Sequence, residues 1–415
     1  MKIAVIDHFG NAGGGSRFVR CLLPALKHSR PDVEITFFAN DQALQREKFS
    51  HEIIAAGIKI EKLSSSSLGN LKPFGIQQVG SFIKLLQQKY EAKLRYLPGF
   101  LSGSVHKEIK RIAREVDLIF FPWPYFINCP DVKCPIVSTF HDFNFKYYFA
   151  GQSYSPLSLE LLNREIPLLL EKSIPVVSTY FMKKELGKFY PQFEEKTEVI
   201  HLAPLSALSD LSEKSALTIV RDLGIDQDYI LYPGHIVSHK NLGALLVAHF
   251  LLKKKGHKVL LILTGKLTET VQGRSFELGV ERDVYNKDVL GLGYVSNLQM
   301  DALIQCAKVV VSTSLYEAGN GPGLDAWKKG TPVAMSNIPA FMEHLDIQNV
   351  RAAVFDPLSP PDIADKLDFI LRHPAKASQD AQYSKEAIQE FTWKVAAEKY
   401  FEVFNKALAS KGSLR

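Results

Sequence analysis

At 415 residues the chain exceeds what one hydrophobic core ordinarily serves, about 250 to 300 residues, so two domains are expected. Apolar residues make up 46% and charged residues 23%, a globular balance that excludes disordered and fibrous classes. The formal charge of +6 comes with basic and acidic residues interleaved over most of the chain, which argues against an obligate nucleic-acid binder.

The opening "MKIAVIDHFG" enters a short apolar strand that carries an acid, the pattern of a buried strand and not of a signal peptide. Further β-branched or aromatic runs follow in the first half: "EITFFA" at 34 to 39, "DLIFF" at 117 to 121, "PIVSTF" at 135 to 140 and "IPVVS" at 174 to 178. Helical patterns between them predict βαβ units and a parallel sheet. Gly13, Gly14 and Gly15 follow the first strand and open a helix, so their amides are candidates to face phosphates or an acceptor. A dinucleotide fold is disfavoured there, because G-x-G-x-x-G is absent and the second strand ends in Asn40 where a ribose-binding acid belongs.

Residues 64 to 75, "SSSSLGNLKPFG", read as an exposed loop. From Lys84 to Arg114, Lys and Arg mix with Tyr, Phe and Leu. That pattern fits either a solvated amphipathic helix pair or a face resting on an anionic membrane surface. No segment reaches the ~18 consecutive apolar residues that span a bilayer. Cys21, Cys129, Cys134 and Cys306 form no C-x-x-C pair and no metal-ligand spacing. Neither a disulfide framework nor a zinc site is expected, and the setting is expected to be reducing and cytoplasmic, with any membrane contact peripheral.

Apolar periodicity fades between about Ser206 and Thr218 and then restarts: "DYILYPG" (228 to 234), "KVLLILTG" (258 to 265), "DVLGLG" (288 to 293), "KVVVSTS" (308 to 314), "PVAMSN" (332 to 337) and "AAVFDP" (352 to 357). The predicted organisation is a first α/β domain over 1–210, a second over 211–390 and a closing amphipathic helix over 391–415. Trp393, Ala396, Ala397, Tyr400 and Phe404 lie on that helix's apolar face.

The segment "SLYEAGNGPGLDAWKKGTPVAMSN", 314 to 337, carries the most chemistry. A strand ends, a glycine-rich bend follows, and a helix begins with Pro322 at its first position and stops at Gly330. Gly319, Gly321 and Gly323 allow close backbone approach, and free amides of the first turn, through Leu324, suit an anion such as a diphosphate. Glu317 before the bend and Asp325 in the first turn could then accept hydrogen bonds from sugar hydroxyls on either side. The alternative reading makes Asp325 a helix-dipole acid and Glu317 a solvated loop acid.

The two carboxylates eight residues apart, followed by "GTPVAMSN", resemble the E-x7-E region of the retaining glycosyltransferases of family GT4. "YILYPGHIVSHKNLGALLVAHFLL", "VLGLGYVSNLQMDALIQCAKVVVSTSLYE" and "FTWKVAAEKYFEVF" are similar to other landmarks of that family in its order, and "GNAGGGSRFVRCLLPAL" and "STFHDFNF" match more loosely. The resemblance implies the GT-B fold: two Rossmann-like doubly wound domains facing across a cleft, with the last helix returning to the first domain. It implies Glu317 on donor-sugar hydroxyls, Asp325 on the ribose, Lys240 on the diphosphate and His141 at the sugar's reactive face. His235 stands where a second basic group, usually Arg, is expected. A histidine is charged only part of the time near neutral pH, so Lys266 or Arg17 is a candidate to assist. The base is expected to be read near "GLGYVS", which includes Tyr294.

The implied activity is transfer from a nucleotide-diphosphate sugar to a saccharide or lipid-linked acceptor, with retention and with neither metal nor cofactor. A sugar-nucleotide epimerase of the same architecture and a catalytically silent nucleotide-sugar-binding subunit are the rival readings. Asp325 in place of Glu and His235 in place of Arg motivate the second.

Overall fold

The structure, a computed structural model, describes residues 1–7, 14–40, 52–63, 102–147, 156–205, 211–266, 268 and 288–412. The loop expected at 64–75 and most of the basic stretch from 84 lie outside the described residues. Two compact units emerge. The first comprises Met1–Val177, Lys183–Ile200 and Ala396–Arg415, the second Ser178–Met182 and His201–Val395.

The first unit holds a seven-stranded sheet in the order β3-β2-β1-β4-β5-β6-β7. Its strands are β1 (Lys2–Asp7), β2 (Glu34–Ala39), β3 (Lys59–Lys62), β4 (Leu118–Phe121), β5 (Ile136–Thr139), β6 (Ser173–Val177) and β7 (Glu198–Val199). The second holds a six-stranded sheet, β10-β9-β8-β11-β12-β13, built from β8 (Tyr229–Pro233), β9 (Leu260–Thr264), β10 (Val289–Gly291), β11 (Val309–Ser312), β12 (Val333–Ser336) and β13 (Ala353–Phe355). Every described pairing in both sheets is parallel. Each sheet reverses direction beside its first strand, which is the doubly wound order.

Parallel strands are covered on both faces and therefore read as near-continuous apolar runs. β8 shows how the two faces divide. Tyr229 and Leu231 point into one core, with Leu303, Leu324, Trp327 and Phe341, while Ile230 and Tyr232 point into the other, with Leu245, Leu246 and Leu367. Side chains alternate along a strand with period 2, so one five-residue strand serves two helical layers. The runs "KIEK" (β3) and Glu198–Val199 (β7) carry no such apolar signal. They are edge strands, β3 with a half-open burial pattern, and edges tolerate charge.

The polar stretch from 206 is not featureless. Helix Glu213–Asp222 begins inside it, with the Ser212 hydroxyl accepting the Ser215 amide at 3.2 Å. Only Ala216 and Val220 of this helix are buried, a stripe too narrow to stand out among serines and acids. The closing helix, Trp393–Gly412, buries Ala397, Tyr400 and Phe404 in the first unit. There the Tyr400 and Phe404 rings lie 5.4 and 5.5 Å from Phe120, and the Tyr400 hydroxyl pairs with Thr139 Oγ1 at 2.9 Å. Among the described residues no helix is long and apolar enough to cross a membrane.

Candidate functional site

In the second sheet β8 and β11 are neighbours, although more than seventy residues separate them. This is where the strand order reverses, and open α/β sheets bind ligands outside the carboxyl ends of strands at such a point. After β8 the chain makes a single 3-10 turn, Ser238–Lys240. After β11 it enters the bend that precedes helix Gly321–Lys329.

The two loops are stitched together at the backbone carbonyls of His239 and Lys240. The Leu315 amide donates to the His239 carbonyl at 2.7 Å, and the Thr313 hydroxyl donates to the Lys240 carbonyl at 3.0 Å. The ammonium of Lys240 consequently reaches Glu317 Oε1 at 2.5 Å, and the Ser314 hydroxyl donates to the same oxygen at 2.9 Å. Both side chains of the pair are partly covered, 23% and 18% exposed, so solvent screens them less than a surface pair. Glu317 Oε2 takes no hydrogen bond from the described residues, which leaves it open to a hydroxyl donor.

Two more strand ends, those of β9 and β10, close the floor beside β8. The Gly234 amide donates to Thr264 O at 3.0 Å and the Gly265 amide to Gly293 O at 2.7 Å. Thr268 links the last two, donating to Gly265 O at 2.8 Å and accepting from the Gly293 amide at 2.9 Å. Gly265 has φ +113°, and a Cβ there would lie 2.9 Å from the Gly234 carbonyl and from His235 Nδ1. Only glycine adopts that conformation at low cost, and in it the Lys266 amide donates to His235 Nδ1 at 2.9 Å. The Lys266 side chain is exposed. The Tyr294 ring stands edge-on to His235 at 5.6 Å and is 60% exposed, so its face is open to a planar ligand.

His235 differs from the expectation of part-time charge. Nδ1 accepts a backbone amide, so the proton sits on Nε2 and the ring is neutral. Burial, and then the charges of Lys240 and Lys266, push its pKa below the ordinary value. The ring offers one Nε2 donor and no cation.

The helix after the bend also departs from expectation in detail. Its N-cap is Asn320, whose side-chain oxygen accepts the Gly323 amide at 2.9 Å. This puts Gly321 first and Pro322 second, with Asp325 fifth, beyond the first turn. An asparagine cap satisfies an end amide that would otherwise have no partner, and that sets the register. The Leu324 amide donates to Asn320 O at 2.9 Å, so the Gly323 and Leu324 amides are committed within the chain and Pro322 has none. Only the Gly321 amide of this turn is left for an anion among the described residues. Gly330 terminates the helix at φ +74°, as its position predicts. Asp325 is fully buried and engages other groups of the chain. For ribose hydroxyls to reach it, the cover around the start of the helix must open.

In the first unit, helix Gly14–Ser29 starts at Gly14, and Gly15 lies so close to Trp123 that a Cβ would fall 2.8 Å from the indole. Arg17 sits on the same helix. His141 follows β5, donates Nε2–H to Pro122 O at 2.7 Å and stacks on Trp123 at 4.7 Å. Burial outweighs that bond and lowers its pKa to about 4. It is therefore neutral, with Nδ1 as a lone-pair acceptor.

The structure thus brings Lys240, Glu317, His235, Lys266, Tyr294, Gly321, Gly323 and Leu324 to the carboxyl end of one sheet, with Asp325 beneath. His141, Gly14 and Gly15 belong to the other unit. Sequence reasoning did not single out Ser314, Asn320 or His344. Asn before a glycine-proline helix start is a readable cap signal, whereas Ser314 and His344 carry none.

Residues 218–389, all within the second unit, match the model of the family described as glycosyl transferases group 1. Over 237 residues the chain is 25% identical to an uncharacterized glycosyltransferase, MJ1607, of Methanocaldococcus jannaschii, covering 56% of this chain and 59% of that protein. Over 274 residues it is 26% identical to O-antigen chain mannosyltransferase B of Escherichia coli, covering 62% of this chain and 66% of that protein. The match thus spans less than two thirds of either relative. The chain superposes on HepE of Anabaena, solved in complex with UDP and glucose, with TM-score 0.69 and 18% identity, over 98% of this chain and 100% of that one. WaaG, a glycosyltransferase involved in lipopolysaccharide biosynthesis, gives TM-score 0.63 and 13% identity over 96% and 98% of the two chains. At such identities the likeness establishes the fold, GT-B, with two Rossmann-like α/β units.

Proposed function

We propose that this chain, whose residues 218–389 match the model of the glycosyl transferases group 1 family, transfers a glycosyl unit from a nucleotide-diphosphate sugar to a saccharide or lipid-linked acceptor with retention. The observation that carries the reading is the contact between Lys240 and Glu317 across the β8–β11 reversal. A cation suited to a diphosphate and a carboxylate suited to sugar hydroxyls meet there, which is the polarity of a nucleotide sugar laid across the strand ends. The named relatives, a mannosyltransferase and a UDP-binding protein, support a GDP- or UDP-hexose donor and a role in surface polysaccharide assembly.

No carboxylate of this site is assigned as a nucleophile beneath the anomeric carbon, so a front-face route is proposed. The bond from the anomeric carbon to the phosphate oxygen breaks, and the acceptor oxygen bonds to that carbon on the same face. The acceptor proton passes to the departing phosphate oxygen. Lys240 stabilises the charge growing on the diphosphate, His235 contributes a neutral Nε2–H donor, and Glu317 orients the sugar through Oε2. Stabilisation of this kind needs positioned charge more than covalent help. The reading requires no metal, and turnover in the presence of EDTA should equal turnover without it.

Glu317→Ala and Lys240→Ala should each lower kcat by about 100-fold or more while the folded spectrum persists. Near-normal turnover in both variants would defeat the assignment. Thermal melting with UDP, GDP, ADP and dTDP identifies the base, since a ligand at 100 times its Kd stabilises by about 2.7 kcal/mol.

A further inference from the structure

Beneath the bend lies a buried polar chain that the proposed chemistry does not use directly. Helix Pro339–Ile347 carries His344, 4% exposed. Its Nε2 receives the Asn320 amide at 2.8 Å, and because that amide can only donate, Nε2 must be unprotonated. The ring proton is therefore on Nδ1, which meets Gln348 Oε1 one turn further along. Gln348 is 1% exposed and its Nε2 has no partner among the described residues. The amide group is thus oriented for the histidine at the expense of its own second half.

Asn320, fixed in this way through its backbone, is fixed again through its side chain. Oδ1 takes the Gly323 amide at 2.9 Å and the Ser312 hydroxyl at 3.3 Å. Three residues upstream, Glu317 is held to Lys240. Gly319, between them, lies against the histidine, with a virtual Cβ 3.5 Å from Nε2. The bend therefore has two anchors, the ion pair at its open end and the imidazole at its buried end. The ion pair is the anchor that a diphosphate entering beside Lys240 would compete for. The imidazole lies out of its reach.

We propose that His344 is a positioning residue, a neutral Nδ1–H imidazole that holds the Asn320 amide and thereby keeps Glu317 in place when the donor draws on Lys240. The inference rests on the proposed role of Glu317 in gripping the donor sugar. It assigns His344 no contact with substrate.

Two variants and one spectrum test it. His344→Gln retains an acceptor near the position of Nε2, whereas His344→Leu fills the space without one. His344→Leu should lower kcat at least tenfold with the KM for the donor changed less than threefold, and His344→Gln should restore kcat to within threefold of wild type. A folded His344→Leu protein with wild-type kcat, or a His344→Gln protein as impaired as His344→Leu, overturns the proposal, the latter because it would reduce His344 to packing. A long-range imidazole 1H–15N spectrum of the wild type, with His344 assigned through the proximity of its ring to the Asn320 amide, needs neither substrate nor variant. It should show the Nδ1–H neutral form at pH 7, and an Nε2–H signal overturns the proposal even if both variants fail to fold. Absence of any turnover by wild type with every nucleotide sugar refutes the proposed function instead, and the spectrum still decides the tautomer.

Discussion

His235 shows how a single residue's chemistry is set by a backbone it does not choose. The family resemblance implies a cation at this position, yet the Lys266 amide takes the nitrogen that a second proton would need. Its pKa is shifted downward by burial and by two lysines, so it stays neutral above pH 6.5 and contributes no titration step there. The pH profile of kcat for His235→Asn, which keeps an acceptor near Nδ1, should therefore run parallel to wild type between pH 6.5 and 8. A step present only in the wild type would mean that the imidazole is charged during the proposed turnover. Asp325 makes the complementary point, because its place eight residues after Glu317 is plain in the sequence and its complete burial is not.

Among elements, the strands were the most legible part, and the reason is geometric. In β8, β9, β11 and β12 nearly every residue is buried, so apolar character runs unbroken and needs no knowledge of neighbours. β3 and β7 escaped notice because edge positions impose no such demand. The turns after the strands are less legible, and two glycines illustrate what decides them. Gly265 (φ +113°) is hemmed in by Gly234 and His235, whereas Gly256 (φ +92°) has nothing within 4 Å of a virtual Cβ. Gly256→Ala should cost about 1 kcal/mol from backbone strain alone. Gly265→Ala should cost roughly 2–4 kcal/mol, since overpacking adds to the strain, and it should also lower donor affinity. Urea melts of the two variants check this, and equal losses would show that the close approach after β9 is not real.

At the scale of the molecule, each unit holds a neutral histidine, the partly exposed His141 in the first and the buried His344 in the second, both with a pKa near 4 against an ordinary 6.5. Burial is the leading cause for both rings. Unfolding restores the ordinary value, so between pH 6.5 and 4 the unfolded chain binds more protons than the folded one, and stability falls as the pH is lowered. Going from pH 6.5 to 5 should cost each unit roughly 2 kcal/mol at 1.36 kcal/mol per pH unit, somewhat less for His141, which is partly exposed. Calorimetric melting should accordingly move several degrees lower at pH 5 than at pH 7, and His344→Gln should flatten the dependence of the second unit. A melting temperature that does not fall over this range would contradict the neutral burial of both rings.

The amino-acid order alone determined what depends on near neighbours: two α/β halves, eleven of the thirteen described strands, the glycine stop at Gly330 and the amphipathic last helix. Each of these is written as a local period or a turn preference, and a pattern of two to eighteen residues suffices to read it. Folding alone decided what depends on residues distant in the chain. Lys240 meets Glu317 because β8 and β11 become neighbours where the sheet reverses, and His235 is neutral because β9 ends beside it. The bend is held from below by a histidine 24 positions away. Charge, tautomer and burial are properties of surroundings, and the surroundings exist only once the sheets have assembled.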